Sequence, residues 1–315
     1  MIVISGNYPR SENLIQKTRD FDRNRIDYTQ LQNELEKEFH DFLQFQRSIN
    51  PPFYSTGLFN YQDLIRPFST FIQNSYANTL IRFEETNIFW RKLEVELNKT
   101  NYENLVNENF SKYLVEYLKI NVMKDFNYLV SLPSPLTLTK YSNLSIKDSN
   151  NLLIEISIRI QEEWQKISNN KLAFTFIEYT EVNDTQNLIE FFNKINQINL
   201  DSNIKVFLFL KNKIKNIDTI NKIKVDGISI NFYSNPISNI KDLSIFNNFE
   251  NVFLGVINTN TTLLEDLEKI RSFIEYFKKF YKYNIFITDD FYAELLPREV
   301  LDQKLENLTK NLIPT

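Results

Sequence analysis

Two hydrophobic rhythms alternate along the chain. Short apolar runs, rich in β-branched and aromatic residues, occupy Ile2–Ser5, Phe53–Thr56, Phe126–Leu132, Leu172–Ile177, Ile204–Leu210, Gly227–Asn231, Val252–Val256 and Asn284–Thr288. Runs of this length without polar alternation predict strands buried on both faces. Longer amphipathic stretches lie between them. Asp27–Arg47 is the clearest, with Leu31, Leu35, Phe39, Phe42 and Phe45 recurring every three or four residues and charges between, which is one face of a helix. The same pattern covers Tyr102–Lys119, Ser145–Ile167, Asp184–Ile195, Thr262–Tyr281 and Arg298–Leu312. Pro297 opens the last of these, as suits the start of a helix.

Buried strands alternating with helices predict parallel βα units. About eight such units predict an α/β fold of the closed (β/α)8 kind, a TIM barrel, with residues 1–315 as a single domain. An open doubly wound sheet is the alternative, but no glycine-rich phosphate turn follows the first apolar run. The stretch from about 70 to 101 is too long for a simple connection. Within it, IRFEETNIFWRKLEVEL reads as a β-hairpin inserted after the second strand, over the barrel mouth.

Composition narrows the chemistry. The chain has only four glycines, and residues so scarce belong where nothing else fits. Gly6 and Gly57 close the first two strands, Gly227 opens the sixth, and Gly255 sits near the end of the seventh. A net charge of -4 argues against nucleic acid as a partner. The absence of cysteine excludes disulfides, thiolate metal ligands and thiol nucleophiles. His40 is the one histidine, so no histidine cluster exists for metal or proton chemistry. No apolar run approaches the roughly 18 residues of a membrane span. The opening MIVISGNYPR lacks the basic flank and long apolar core of a signal peptide, and a cytoplasmic protein is expected.

The motifs, taken in order, resemble the cobalamin-independent methionine synthase family over nearly the whole chain. GNYPRSENLIQKTRDFDRNRIDYTQL resembles that family's first βα unit, and TGLFNYQDLIRPF the stretch after its second strand. RFEETNIFW is similar to an asparagine-containing insertion that follows. SLPSPLTLT matches the turn after the third strand, with Ser134 in a glycine position. LGVINTNTTLLEDLEKI and DDFYAELLPREVLDQKLENL match the seventh and eighth units. The resemblance implies a barrel of the uroporphyrinogen decarboxylase and methionine synthase type. The family's enzyme is a tandem of two related barrels, the C-terminal one holding zinc and homocysteine and the N-terminal one lacking zinc. Stand-alone single-barrel relatives occur, especially in archaea. TGLFNYQD is nearer the N-terminal version.

On that resemblance, the His-x-Cys of the zinc site falls on Phe207 and Phe209, its Glu on Asn231, and its last Cys at about Phe291. The serine that anchors homocysteine is Asn7, and the glutamate that holds its amino group is Leu58. An Asp-Glu-Pro motif is reduced to IEYTE, with Glu178 as its remnant. Zinc in this chemistry lowers a thiol pKa and presents the thiolate. The resemblance therefore implies a chain with no metal and no catalytic residue of its own. It would be an N-terminal-type subunit that docks on a zinc-bearing barrel and binds a methylated folate or an archaeal pterin as methyl donor. The alternative is a stand-alone enzyme or ligand-binding pseudoenzyme that uses the mouth for another small molecule.

Each candidate ligand residue also has a structural reading. Arg10 and Lys17, with Arg19 and Arg23, fall where the family's N-terminal barrel meets a polyanionic folate tail, but they equally suit a solvated helix face paired with Asp20 and Asp22. Asn60, Asp63 and Arg66 either line the mouth or anchor a loop through a salt bridge. Arg82 and Asn87 belong to the insertion and carry the same two readings. Ser134 and Thr137 contact a ligand or cap a helix. Glu178, Asn231, Asn258 and Asp290, together with Asp289, fall at or near strand ends, where barrel enzymes keep their sites.

Overall fold

The computed structural model describes residues 1–96, 119–198, 201–240 and 242–312. Helix α1 (Glu12–Asp22) starts where the Ser11 hydroxyl accepts from Leu14 N. Helix α2 (Tyr28–Ile49) starts at a capping box in which Asp27 and Gln30 satisfy each other's backbone N–H groups. Its apolar stripe faces inward: Leu31, Phe39 and Phe42 are buried, with Leu35 and Phe45 packed against them. After the short turn α3 (Phe68–Phe71), β1 (Ser75–Arg82) and β2 (Phe89–Val95) pair antiparallel, with an irregular register between Ala77 and Leu80. This is the hairpin anticipated within the insertion.

The chain continues through α4 (Ile120–Met123) to β3 (Tyr128–Pro133), α5 (Pro135–Lys140), α6 (Ile146–Gln165), β4 (Leu172–Glu178) and α7 (Gln186–Ile195). Then come β5 (Ile204–Leu210), β6 (Gly227–Asn231), β7 (Asn251–Ile257), α8 (Leu267–Lys278), β8 (Asn284–Asp289) and α9 (Arg298–Leu312). Strands β3 to β8 form one parallel sheet in sequential order. Every residue of β3, β4, β6 and β7 is buried, as uninterrupted apolar runs require of a sheet covered on both faces. After β5 and β6 the covering layer is built from 3-10 turns, at Ile217–Lys222, Ile237–Asn239 and Leu243–Asn248. Of the helix anticipated over Tyr102–Lys119, residues 102–118 lie outside the described residues, as do residues 97–101 of the insertion.

The structure corrects the expectation of eight laddered strands. Ile2–Ser5 and Phe53–Thr56 contribute single parallel bridges, Ile2 to Ile287 on β8 and Tyr54 to Tyr128 on β3. Val3 N donates to Ile287 O at 2.8 Å, and Leu129 N to Tyr54 O at 2.8 Å. The two segments thus flank the open edges of the sheet, and Tyr8 N donates to Gly57 O at 2.9 Å between them, without a ladder. Both segments are turned away almost at once: Gly6 has φ +72° and Gly57 φ +71°, a left-handed conformation that ends an extended run and favours glycine.

Candidate functional site

Parallel strands all end on one side, so their loops converge there and side chains at those ends are the first candidates for chemistry. Glu178 closes β4 and is fully buried. Its carboxylate accepts from Ser134 Oγ, from Thr137 Oγ1 at 2.9 Å and from Thr180 N at 2.6 Å. Thr137 Oγ1 in turn accepts from Tyr179 N at 2.9 Å, and Ser134 Oγ caps α5 by accepting from Thr137 N. The structure therefore brings together Ser134, Thr137 and Glu178, but as a closed hydrogen-bonded knot joining β4 to the start of α5. Burial pushes the Glu178 carboxyl upward, and these hydrogen bonds oppose that.

The hairpin lays an aromatic plug beside this knot. Phe83, directly after β1, and Trp90, in β2, stack with centroids 4.1 Å apart. Phe83 also meets Tyr179 at 5.1 Å, Tyr292 at 4.8 Å and Phe291 at 5.6 Å. Tyr141 lies 4.8 Å from Trp90. Phe83, Trp90, Tyr141 and Tyr292 are wholly buried, and Tyr179 nearly so. Deeper between the strands, Phe207 and Phe209 pack on Phe253 at 4.9 and 4.8 Å. Such rings exclude water through area and edge-to-face geometry.

Around the plug stand two acidic residues with opposite fates. Lys211, directly after β5 and 1% exposed, donates to the Asp289 carboxylate and carbonyl at 2.7 Å each. Sequence reasoning missed this lysine; the signal was a lysine closing the apolar run IKVFLFLK. Asp290 Oδ1 accepts from Thr259 N and Oγ1 at 2.8 Å each, while its Oδ2 has no hydrogen-bond partner. Burial pushes this carboxyl upward, opposed by the Thr259 bonds. Asn231 is fully engaged. Its oxygen accepts from Tyr233 N and Ser234 N, and its amide donates to Lys211 O and Ser234 Oγ. Asn231 and Asp290 line a cleft of about 480 Å³ between the strand ends and the hairpin turn.

The remaining candidates lie elsewhere. Asp63 is completely buried and accepts from Ile65 N, Arg66 N, Arg66 Nε and Arg91 N at 2.7 to 3.2 Å. Arg66 and Asp63 therefore bind the loop after the second apolar run to the hairpin. Arg10 faces Glu294 at 3.5 Å across a second cavity of about 280 Å³ that includes Gln62, Ile88 and Phe89. Glu294, another residue not anticipated, also accepts from Tyr292 OH at 2.8 Å. Burial pushes its carboxyl up to about 7, against the pull of Arg10. Lys17 is half-buried on α1 and is not among the residues that line this cavity. Asn60 is exposed beside a slot of about 10 Å³, room for no more than a water. Arg82 Nε donates to Thr86 O at 2.6 Å, closing the hairpin turn in which Asn87 is exposed. The Asn258 side chain accepts from Asn260 N at 2.8 Å, while its carbonyl receives the buried Lys304 at 3.1 Å. Among the described residues no three His, Cys, Asp or Glu side chains are grouped to hold a metal ion. No described helix is long and apolar enough to cross a membrane.

No family model matches the sequence, and no curated protein does. Solved structures do match in fold. A putative vitamin-B12-independent methionine synthase from Listeria monocytogenes has a TM-score of 0.68 at 12% identity, covering 99% of this chain and 97% of that one. A B12-independent methionine synthase from a Shewanella species, in complex with selenomethionine, has a TM-score of 0.63 at 13% identity, covering 98% and 96%. A methyltransferase from Methanosarcina mazei has a TM-score of 0.51 at 10% identity, covering 99% and 94%. At these identities the likeness is one of fold, and over almost the full length of each chain this protein shares it.

Proposed function

We propose that this chain is the zinc-less, N-terminal-type barrel of a methionine-synthase-like methyl-transfer system. In this reading it forms one barrel domain of eight βα units whose first two strands are shortened to bridges. It works in the cytoplasm, docked on a separate zinc-bearing barrel, and helps bind the methyl donor, a methylated folate or an archaeal pterin. The fold shared with two methionine synthases and a methyltransferase supports the family.

The observation that carries the reading is the aromatic plug that the chain's own hairpin lays in the mouth beside the cleft, with Phe83 stacked on Trp90 between Tyr179 and Tyr292. A barrel that ran methyl transfer at its centre would need that space for substrate. The residues at the family's zinc positions support the same reading. Phe207 and Phe209 are buried rings, Asn231 has its carboxamide engaged, and Phe291 belongs to the plug. That donor set does not fit zinc, which takes thiolate, imidazole and carboxylate ligands. The Ser134, Thr137 and Glu178 knot likewise ties the Glu178 carboxylate into hydrogen bonds within the chain.

The test is methyl transfer to homocysteine by a zinc-bearing barrel from the same organism, measured with and without this chain. The expected result is no turnover by this chain alone and a lower KM for the methyl donor when both are present. Unchanged kinetics for the zinc-bearing barrel would reject the proposal.

A further inference from the structure

The cleft of about 480 Å³ beside the plug has a chemistry of its own. Four carboxylates line it, from Glu84, Glu85, Glu181 and Asp290, against one lysine, Lys213. Glu84 is already answered by Lys140 at 2.7 Å and Tyr141 OH at 2.6 Å. Glu85 and Glu181 are exposed and form no ion pair among the described residues. Asp290 differs from all of them. It is 1% exposed, its Oδ1 is held by Thr259, and its Oδ2 has no donor. The adjacent Asp289 has claimed Lys211, the buried lysine nearby.

A buried carboxylate oxygen without a donor is costly, and folded proteins rarely leave one so. A donor fits this oxygen in its ionised form, because a carboxylate only accepts. It should carry positive charge, because the surplus around it is negative. Two aromatic faces, the half-exposed Tyr233 and the partly buried Phe291, suit a cation with an apolar body. A metal ion suits the cleft less well: no three carboxylates are grouped to ligate one, and the volume is that of a small organic molecule. The negative charge also comes in two tiers, one oxygen deep at Asp290 and a pair of carboxylates at the rim.

We infer that this cleft binds a linear aliphatic diamine or polyamine, one ammonium donating to Asp290 Oδ2 and the other held at the rim by Glu85 and Glu181. The inference stands apart from the partner-barrel reading, since it needs neither a second subunit nor a methyl donor.

The test is isothermal titration of the whole chain with 1,4-diaminobutane at fixed ionic strength, with 1-butylamine and 1,4-butanediol as comparisons. The expected result is saturable binding of the diamine at one site, butylamine weaker, and no binding of the diol. Asp290→Asn keeps an oxygen for Thr259 but loses the charge, and should weaken both amines about tenfold or more. Glu85→Gln with Glu181→Gln should weaken the diamine and leave butylamine unchanged. Those two residues are exposed, so the double variant reports on the site even if Asp290→Asn fails to fold. No saturable diamine binding, equal binding by folded Asp290→Asn, or a diamine affinity indifferent to the rim substitutions would overturn the inference.

Discussion

Asp63 accepts four hydrogen bonds, one of which is also its ion pair with Arg66, all within its own chain. Replacing it with alanine would leave Arg66 and three backbone N–H groups without an acceptor. Breaking a buried pair from one side costs about 3 kcal/mol, so Asp63→Ala should lower the denaturation midpoint in urea by a corresponding amount. A variant as stable as the parent would return Asp63 to the ligand candidates. Glu294 gives a pH signature. Its folded pKa of about 7 lies above the ordinary value of 4.5, so folding favours its protonated form. Its contribution to stability is then complete below about pH 4.5 and is lost as pH rises through 7, by up to about 3 kcal/mol. Stability of the parent should fall across pH 5 to 8 by more than that of Glu294→Gln. Parallel pH profiles for the two proteins would show that Arg10 and Tyr292 fully compensate the burial.

The hairpin is the element that decides what the mouth can do. IRFEETNIFW reads as a hairpin from its pattern, and the structure has one. What the pattern does not carry is which aromatic residues turn inward. The chain has 27 phenylalanines and 16 tyrosines, and only the converging loops select Phe83, Trp90, Tyr179 and Tyr292 as a single cluster. Phe83→Ala should cost about 3 kcal/mol or more. It should also red-shift the emission of Trp90, read in a Trp164→Phe background because Trp164 is the other tryptophan and is itself buried. An emission spectrum unchanged by Phe83→Ala would mean that the mouth is closed by something other than this stack. The same limit applies to Ile2–Ser5 and Phe53–Thr56. Their apolar character placed them at the sheet and Gly6 and Gly57 marked their ends, but the positive φ of Leu58 and the reduction of each segment to a single bridge are visible only in three dimensions.

At the scale of the molecule, the parallel βα order was legible because strands buried on both faces lose polar alternation. Strands β5 and β6 run over the same residues that their apolar runs mark, and β3, β4, β7 and β8 agree to within two residues. The site was legible only in part. Ser134 and Thr137 were read in the turn after the third strand and Glu178 at the end of the fourth, yet their hydrogen bonds to one another depend on loop geometry that no spacing encodes. Lys211 and Glu294 were not singled out, since a lone charge after an apolar run or in a loop looks ordinary until its burial is known. These features combine a methionine-synthase-like fold with an aromatic plug at the strand ends, and the proposed function places methyl transfer on a second barrel. Sedimentation velocity on this chain mixed with the zinc-bearing barrel of the same organism tests that proposal most directly. The expected result is a single heavier boundary containing one copy of each, with zinc in the partner alone. Two boundaries that sediment independently at micromolar concentrations would contradict it.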